Sequence, residues 1–171
     1  ITGGTAIETG GTLTTNSVGA QSFTKNLTAT ALNLTTTQDG SGVDIGKYQG
    51  GTITADLENG SLDITSTSGN IAVASVDVTG SDGTADVIIT SAGTITDSTP
   101  SDDSSVNINA TSVTLQAGSG IGASGLGDID TLASTLLLST TSSGNIFVAD
   151  SDAVTLASSS TSSNGNIDVR T

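Results

Sequence analysis

Small apolar residues return about every 20 positions along this chain, at Leu13, Leu34, Ile53, Val73, Ile95, Leu115, Leu136 and Leu156. A second series runs half a period out of step through Ile45, Ile64, Val87, Val106, Ile129, Ile146 and Ile167. Within each cluster apolar and polar residues alternate, as in Leu62-Asp63-Ile64, Val76-Asp77-Val78, Val113-Thr114-Leu115 and Ile167-Asp168-Val169. A period of two is the pattern of a half-buried strand, and no segment sustains the 3.6-residue period of a helix. Two strands in every repeat of this length predict an all-β chain, coiled as a parallel β-helix (β-solenoid) of about eight coils of roughly 20 residues. One such domain is expected over residues 1–171, roughly 40 Å long at about 4.8 Å per coil.

Glycine marks the expected corners. Gly11-Thr12-Leu13-Thr14 recurs as Gly51-Thr52-Ile53-Thr54 and Gly93-Thr94-Ile95-Thr96, two coils apart each time. Gly69-Asn70-Ile71-Ala72-Val73 recurs as Gly144-Asn145-Ile146-Phe147-Val148 and Gly165-Asn166-Ile167-Asp168-Val169. Glycine reaches positive φ without steric cost, so it suits a turn from which an alternating strand departs. Asp39-Gly40, Asn59-Gly60 and Asp82-Gly83 are further turn signals. Two stretches interrupt the repeat, Thr96–Ser105 with the single proline and the glycine-rich Ala117–Asp130. Both are expected to leave the coil as loops, the second rejoining near Leu132.

Composition narrows the function. The chain has no Cys, His, Met or Trp, and Ser with Thr make up roughly a third of it. No disulfide framework or thiolate metal site can form, and Ser-His-Asp, Cys-His and imidazole-metal chemistry are excluded. Only carboxylates remain for acid–base work, and the few aromatic and basic residues (Phe23, Tyr48, Phe147, Lys25, Lys47, Arg170) offer little to hold a sugar beside a carboxylate pair. The chain is not expected to be an enzyme. Its formal charge of −14 opposes binding to nucleic acid or anionic lipid, and no apolar run is long enough to span a bilayer.

The outward residue between each inward pair of the second series places Asp44, Asp63, Asp86, Asn107, Phe147 and Asp168 at equivalent positions, with Asp128 or Asp130 in the remaining coil. This predicts an acidic column on one face. Asp44, Asp63, Asp86, Asp128 and Asp130 are therefore candidate calcium ligands, since carboxylates are what a hard cation takes. Asp82 with Asp86, Asp102-Asp103, and Asp150 with Asp152 are further acidic pairs, but no EF-hand spacing and no calcium-binding nonapeptide repeat is present. No cofactor is required. Thr-x-Thr units at Thr12–Thr14, Thr28–Thr30, Thr52–Thr54 and Thr94–Thr96 raise a second possibility, an ice-binding face, with both threonines outward and the middle residue inside.

Val113-Thr114-Leu115-Gln116-Ala117-Gly118-Ser119-Gly120-Ile121-Gly122, then Leu136–Val148, then Ala153-Val154-Thr155-Leu156, resemble the repeats of filamentous-haemagglutinin-like bacterial surface proteins, two-partner-secretion exoproteins and large repetitive adhesins among them. The resemblance is clearest over residues 50–171. It implies a right-handed parallel β-helix, secreted or displayed at the cell surface as adhesin stalk or matrix filament, with a host or cell-surface receptor as its partner. The chain starts at Ile1 and its two ends both read as more repeat, so it is expected to continue in a longer chain or to self-associate into fibres by stacking. The competing architecture is a pilin-like β-sandwich assembling by strand exchange, for which turn signals every 8–12 residues would also serve.

Overall fold

The computed structural model describes residues 6–79, 85–101 and 105–171. Fourteen strands follow one another with no helix among the described residues: β1 (Ile7–Glu8), β2 (Thr12–Ser17), β3 (Gln21–Phe23), β4 (Leu27–Thr36), β5 (Val43–Leu57), β6 (Leu62–Ser66), β7 (Ile71–Asp77), β8 (Asp86–Ser91), β9 (Ile95–Asp97), β10 (Ile108–Ala117), β11 (Ile129–Thr140), β12 (Ile146–Asp150), β13 (Thr155–Thr161) and β14 (Ile167–Arg170). Every strand pairing among the described residues is parallel. The chain is a β-solenoid of about seven turns at a spacing of ~21 residues. A pilin-like sandwich of antiparallel strands is ruled out, because each strand here lies on the strand one turn earlier in the same direction.

Stacking in register sorts the side chains into columns. Gln21, Val43, Leu62, Val87, Val113, Leu136 and Leu156 form one column, and Phe23, Ile45, Ile64, Ile89, Leu115 and Leu138 the next inward one. Across the coil, Leu13, Leu32, Ile53 and Val73 stack, as do Ile71, Ile95, Ile121, Ile146 and Ile167. Nearly all of these are buried away from the end turns, as parallel sheets require when the inner face has no access to water. Val, Ile and Leu suit such columns because branched side chains pack on their own kind along the stack.

The 20-residue period survives, but the two series read from the sequence mix neighbouring columns. Leu13 lies on Leu32, while Leu34 stacks between Thr15 and Ala55. Ile89, not Val87, follows Ile64, and Leu115 belongs to that column. Ile95 lies on Ile71, two residues along from the position its Gly-Thr-Ile-Thr motif suggested, whereas Thr12 and Thr52 do occupy one column two turns apart. Inward positions recur every second residue, so counting by about 20 always meets one, though not always the stacked one. Extra residues shift the count: bulges break register between Ile53 and Thr54, between Ile45 and Tyr48 and between Leu136 and Leu137.

The excursions are also shorter or better tethered than the sequence suggested. Ala117 to Gly120 stay on the coil, Ile121 is fully buried between Ile95 and Ile146, and the chain rejoins at Ile129 rather than near Leu132. Strand β9 carries the coil on to Asp97 before the proline-containing excursion leaves. The Asp82-Gly83 turn lies outside the described residues.

The Gly-Asn-Ile corner shows why the motif repeats. Gly144 has φ +97°, and a Cβ there would collide with the carbonyl of Ser119 on the previous turn. The following Asn145 turns its Oδ1 to accept the Asn166 amide of the next turn at 2.9 Å, as Asn70 accepts the Thr94 amide at 2.9 Å. Each corner asparagine thus satisfies a backbone donor that leaves the sheet ladder at the bend. Ile146, with no exposed surface, sets up a direct check on the inward assignment. Ile146→Asp is expected to cost several kcal/mol by burying an unpaired charge, and Phe147→Asp, at a half-buried outward position, much less; thermal melts that fall equally for both contradict the assignment.

Candidate functional site

The predicted acidic column reduces to one pair. Asp44 and Asp63 stack in register on adjacent turns, but the next residue in the column is Ile88, followed by Thr114, Leu137 and Ser158. Asp86 belongs to a neighbouring column, level with Ser112, and its amide donates to the Ser61 hydroxyl at 3.2 Å. The register places Val87 on Leu62, so that Ile88 rather than Asp86 falls on Asp63. Two carboxylates 4.8 Å apart repel by roughly 1 kcal/mol in water. Substituting an isoleucine in the third turn ends the accumulation.

The other members lie elsewhere. Asn107 is buried, not outward. Asp168 lies beside Phe147 on a different face, 3.9 Å from Arg170. Asp128 is buried and takes the Arg170 guanidinium, and Asp130 sits two residues further on, level with Ala149. Asp150 is buried too, its Oδ2 accepting from Thr131 Oγ1 at 2.7 Å and the Ala133 amide at 3.1 Å, its Oδ1 from the Asp152 amide. Among the described residues no three acidic side chains gather as a metal site. Asp82, Asp102 and Asp103 lie outside the described residues.

Asp44, Asp63 and Asp86 do share one place, the rim of a shallow surface hollow of about 410 Å³ lined also by Ser22, Ser61 and Ile88. Partial burial raises the Asp63 pKa above its ordinary 3.8, and the neighbouring Asp44 charge pushes in the same direction. The aromatic side chains do not serve this hollow: Phe23 and Tyr48 are buried in the core, where desolvation lifts the Tyr48 phenol to about 12 against a hydrogen bond with Gly51 that lowers it.

A second polar group, not foreseen from the sequence, ties the excursions to the coil. Asp97 points inward above Val73, and its Oδ1 accepts from the Thr99 amide at 2.8 Å, Thr99 Oγ1 at 3.2 Å and Asn107 Nδ2 at 3.0 Å. Asn107 Oδ1 in turn accepts the Asp130 amide at 2.9 Å, so one buried amide side chain joins the return of one excursion to the return of the other. The signal was present as Asp-x-Thr: Asp77-Val78-Thr79 makes the same turn, with Thr79 donating its amide and hydroxyl to Asp77. These carboxylates accept hydrogen bonds that shape the backbone; they do not converge on a shared open space.

No protein-family model matches the chain, and neither a curated protein nor a solved structure matches it.

Two tests follow from this geometry. A carboxyl whose folded pKa is raised binds its proton more readily when folded, so its contribution to stability is greatest below 3.8 and is lost as pH rises through the raised value. Asp63→Asn should therefore raise the melting temperature at pH 7, and the gain should vanish below about pH 3.8; with stacked carboxylates confined to the separate pairs Asp44–Asp63 and Asp56–Asp77 among the described residues, calcium and sodium chloride at equal ionic strength should act alike on the parent protein. Arg170→Ala should cost about 2 kcal/mol by stranding the buried Asp128 carboxylate, and Asp128→Asn in that background should recover part of the loss in denaturant titrations.

Proposed function

We propose that this chain is a non-enzymatic structural element of an extracellular or cell-surface fibre, a stalk or matrix filament whose working property is length. The observation that carries this reading is the set of filled apolar columns running turn upon turn through the described coil. A solenoid whose interior is packed with Val, Ile and Leu gains length with each turn while its diameter stays constant. Its outer face is Ser, Thr, Asp and Gly, with a net charge of −14 that keeps neighbouring rods apart in solution. Its buried carboxylates are taken up by turns and by Arg170, which leaves little for catalysis. The resemblance of residues 50–171 to filamentous-haemagglutinin-like repeats supports display outside the cell, and the excursions at Ser98 and Ala123 are where a receptor would be met, since Leu126 stands half exposed at the second.

The ice-binding alternative is not favoured. The outward columns read Thr12, Ala31, Thr52, Ala72, Thr96 and Thr14, Asn33, Thr54, Ser75, so a methyl or an amide interrupts each array of threonines.

The test is made on cells that produce the whole parent protein. Antibody raised against residues 6–171 should label intact cells, protease added outside should remove the epitope, and negative-stain images should show thin rods that lengthen in proportion to added turns. A protein retained inside intact cells, or one that images as compact particles, contradicts the reading.

A further inference from the structure

The chain contains two Asn-Gly steps, Asn59-Gly60 and Asn164-Gly165, and the structure places them in opposite chemical situations. Both asparagines hold a left-handed backbone, φ +51° and +24°, so backbone conformation does not separate them. Their side chains do. Asn59 is buried, its Nδ2 donates to Asp39 Oδ1 at 2.9 Å, and its Oδ1 has no hydrogen-bond partner. Asn164 is exposed at its corner. That exposure does not depend on its place in the last turn: the Ile146–Ile167 register sets Ser143 level with Asn164, and Ser143 stays exposed although a further turn covers it.

We infer that Asn164 is a site of spontaneous covalent modification, deamidating through a cyclic imide to aspartate and isoaspartate, while Asn59 is protected by the fold. The Gly165 amide nitrogen attacks Asn164 Cγ; the new N–C bond closes the ring, the Cγ–Nδ2 bond breaks, and the nitrogen leaves as ammonia. Water then opens the ring at either carbonyl, giving aspartate or isoaspartate, with no oxidant or reductant involved. Glycine permits this step because it has no side chain to hinder its nitrogen. Solvent at Asn164 supplies the water, the donors for the oxyanion and the proton for the departing ammonia. At Asn59 the hydrogen bond to Asp39 fixes the amide, and the partnerless Oδ1 means that no donor awaits an oxyanion.

The location gives the reaction a structural effect. Gly165 lies so close to the Gly144 carbonyl that a Cβ would collide with it, and the next amide, that of Asn166, is held by Asn145 Oδ1. Isoaspartate inserts an extra backbone atom at this corner. The Asn166 amide and the start of β14 must then shift from their register on β12.

The test is peptide mapping by mass spectrometry of the folded protein incubated at mildly alkaline pH, beside a sample unfolded in urea. In the folded sample, exchange of nitrogen for oxygen should be at least about tenfold faster at Asn164 than at Asn59, since reaction at Asn59 must await local opening; in urea the two rates should converge. The isoaspartate form, separated by ion exchange, should show faster hydrogen exchange at Asn166 and Ile167 than the parent. Comparable folded-state rates at the two sites, or no reaction at Asn164 while it proceeds in urea, would overturn the inference.

Discussion

Everything in this molecule follows from one constraint: each turn must bring its backbone back in register about 4.8 Å above the previous one, so that the carbonyls and amides of successive turns pair in parallel. A side chain at a given position then meets only its counterparts on the turns before and after. Inward positions must hold residues that pack against similar residues in a column, and corners must let one backbone lie directly on another. The isoleucine column from Ile71 to Ile167 answers the first demand. The Gly144 corner, where no Cβ fits, answers the second.

Polar groups are distributed by the same constraint. A corner lifts some backbone donors out of the ladder, and the chain supplies Asn70 and Asn145 to accept from the next turn. Where extra residues leave the coil, buried Asp97, Asn107 and Asp150 take over the unpaired amides. Carboxylates in this protein serve as backbone acceptors inside and as charge outside. Asp44 stacks on Asp63 and Asp56 on Asp77, and Ile88 rather than a third carboxylate lies next to Asp63.

The fold was legible because a period near 20 with alternating Val, Ile and Leu allows few other architectures, and the inside–outside assignment of Ile53, Ile64, Leu115 and Ile146 could be read from alternation alone. The columns were not legible to the same depth. A bulge of one residue at Ala74, or a register that sets Val87 on Leu62, leaves the local alternation intact while changing which residue lies above which. The acidic column failed partly for that reason: Asp44, Asp63, Asp86 and Asp168 are outward as expected, but the turns were counted as equal, and Asn107 and Asp128 are buried. The tether around Asn107 was overlooked because its neighbours in space, Asp97 at the end of β9 and Asp130 in β11, flank separate excursions, although Asp-x-Thr at Asp77 and Asp97 marks a shared turn at a strand end.

Spin labels on outward neighbours report whether parallel turns stack in fixed register. The absence of native cysteine lets Thr114 and Leu137, which stand opposite one another on successive turns, be labelled as a cysteine pair without background. Strong dipolar broadening is expected for this pair, and again for Leu137 with Ser158, the next step of the same column. Sharp, non-interacting spectra from both pairs in the folded protein would contradict that register.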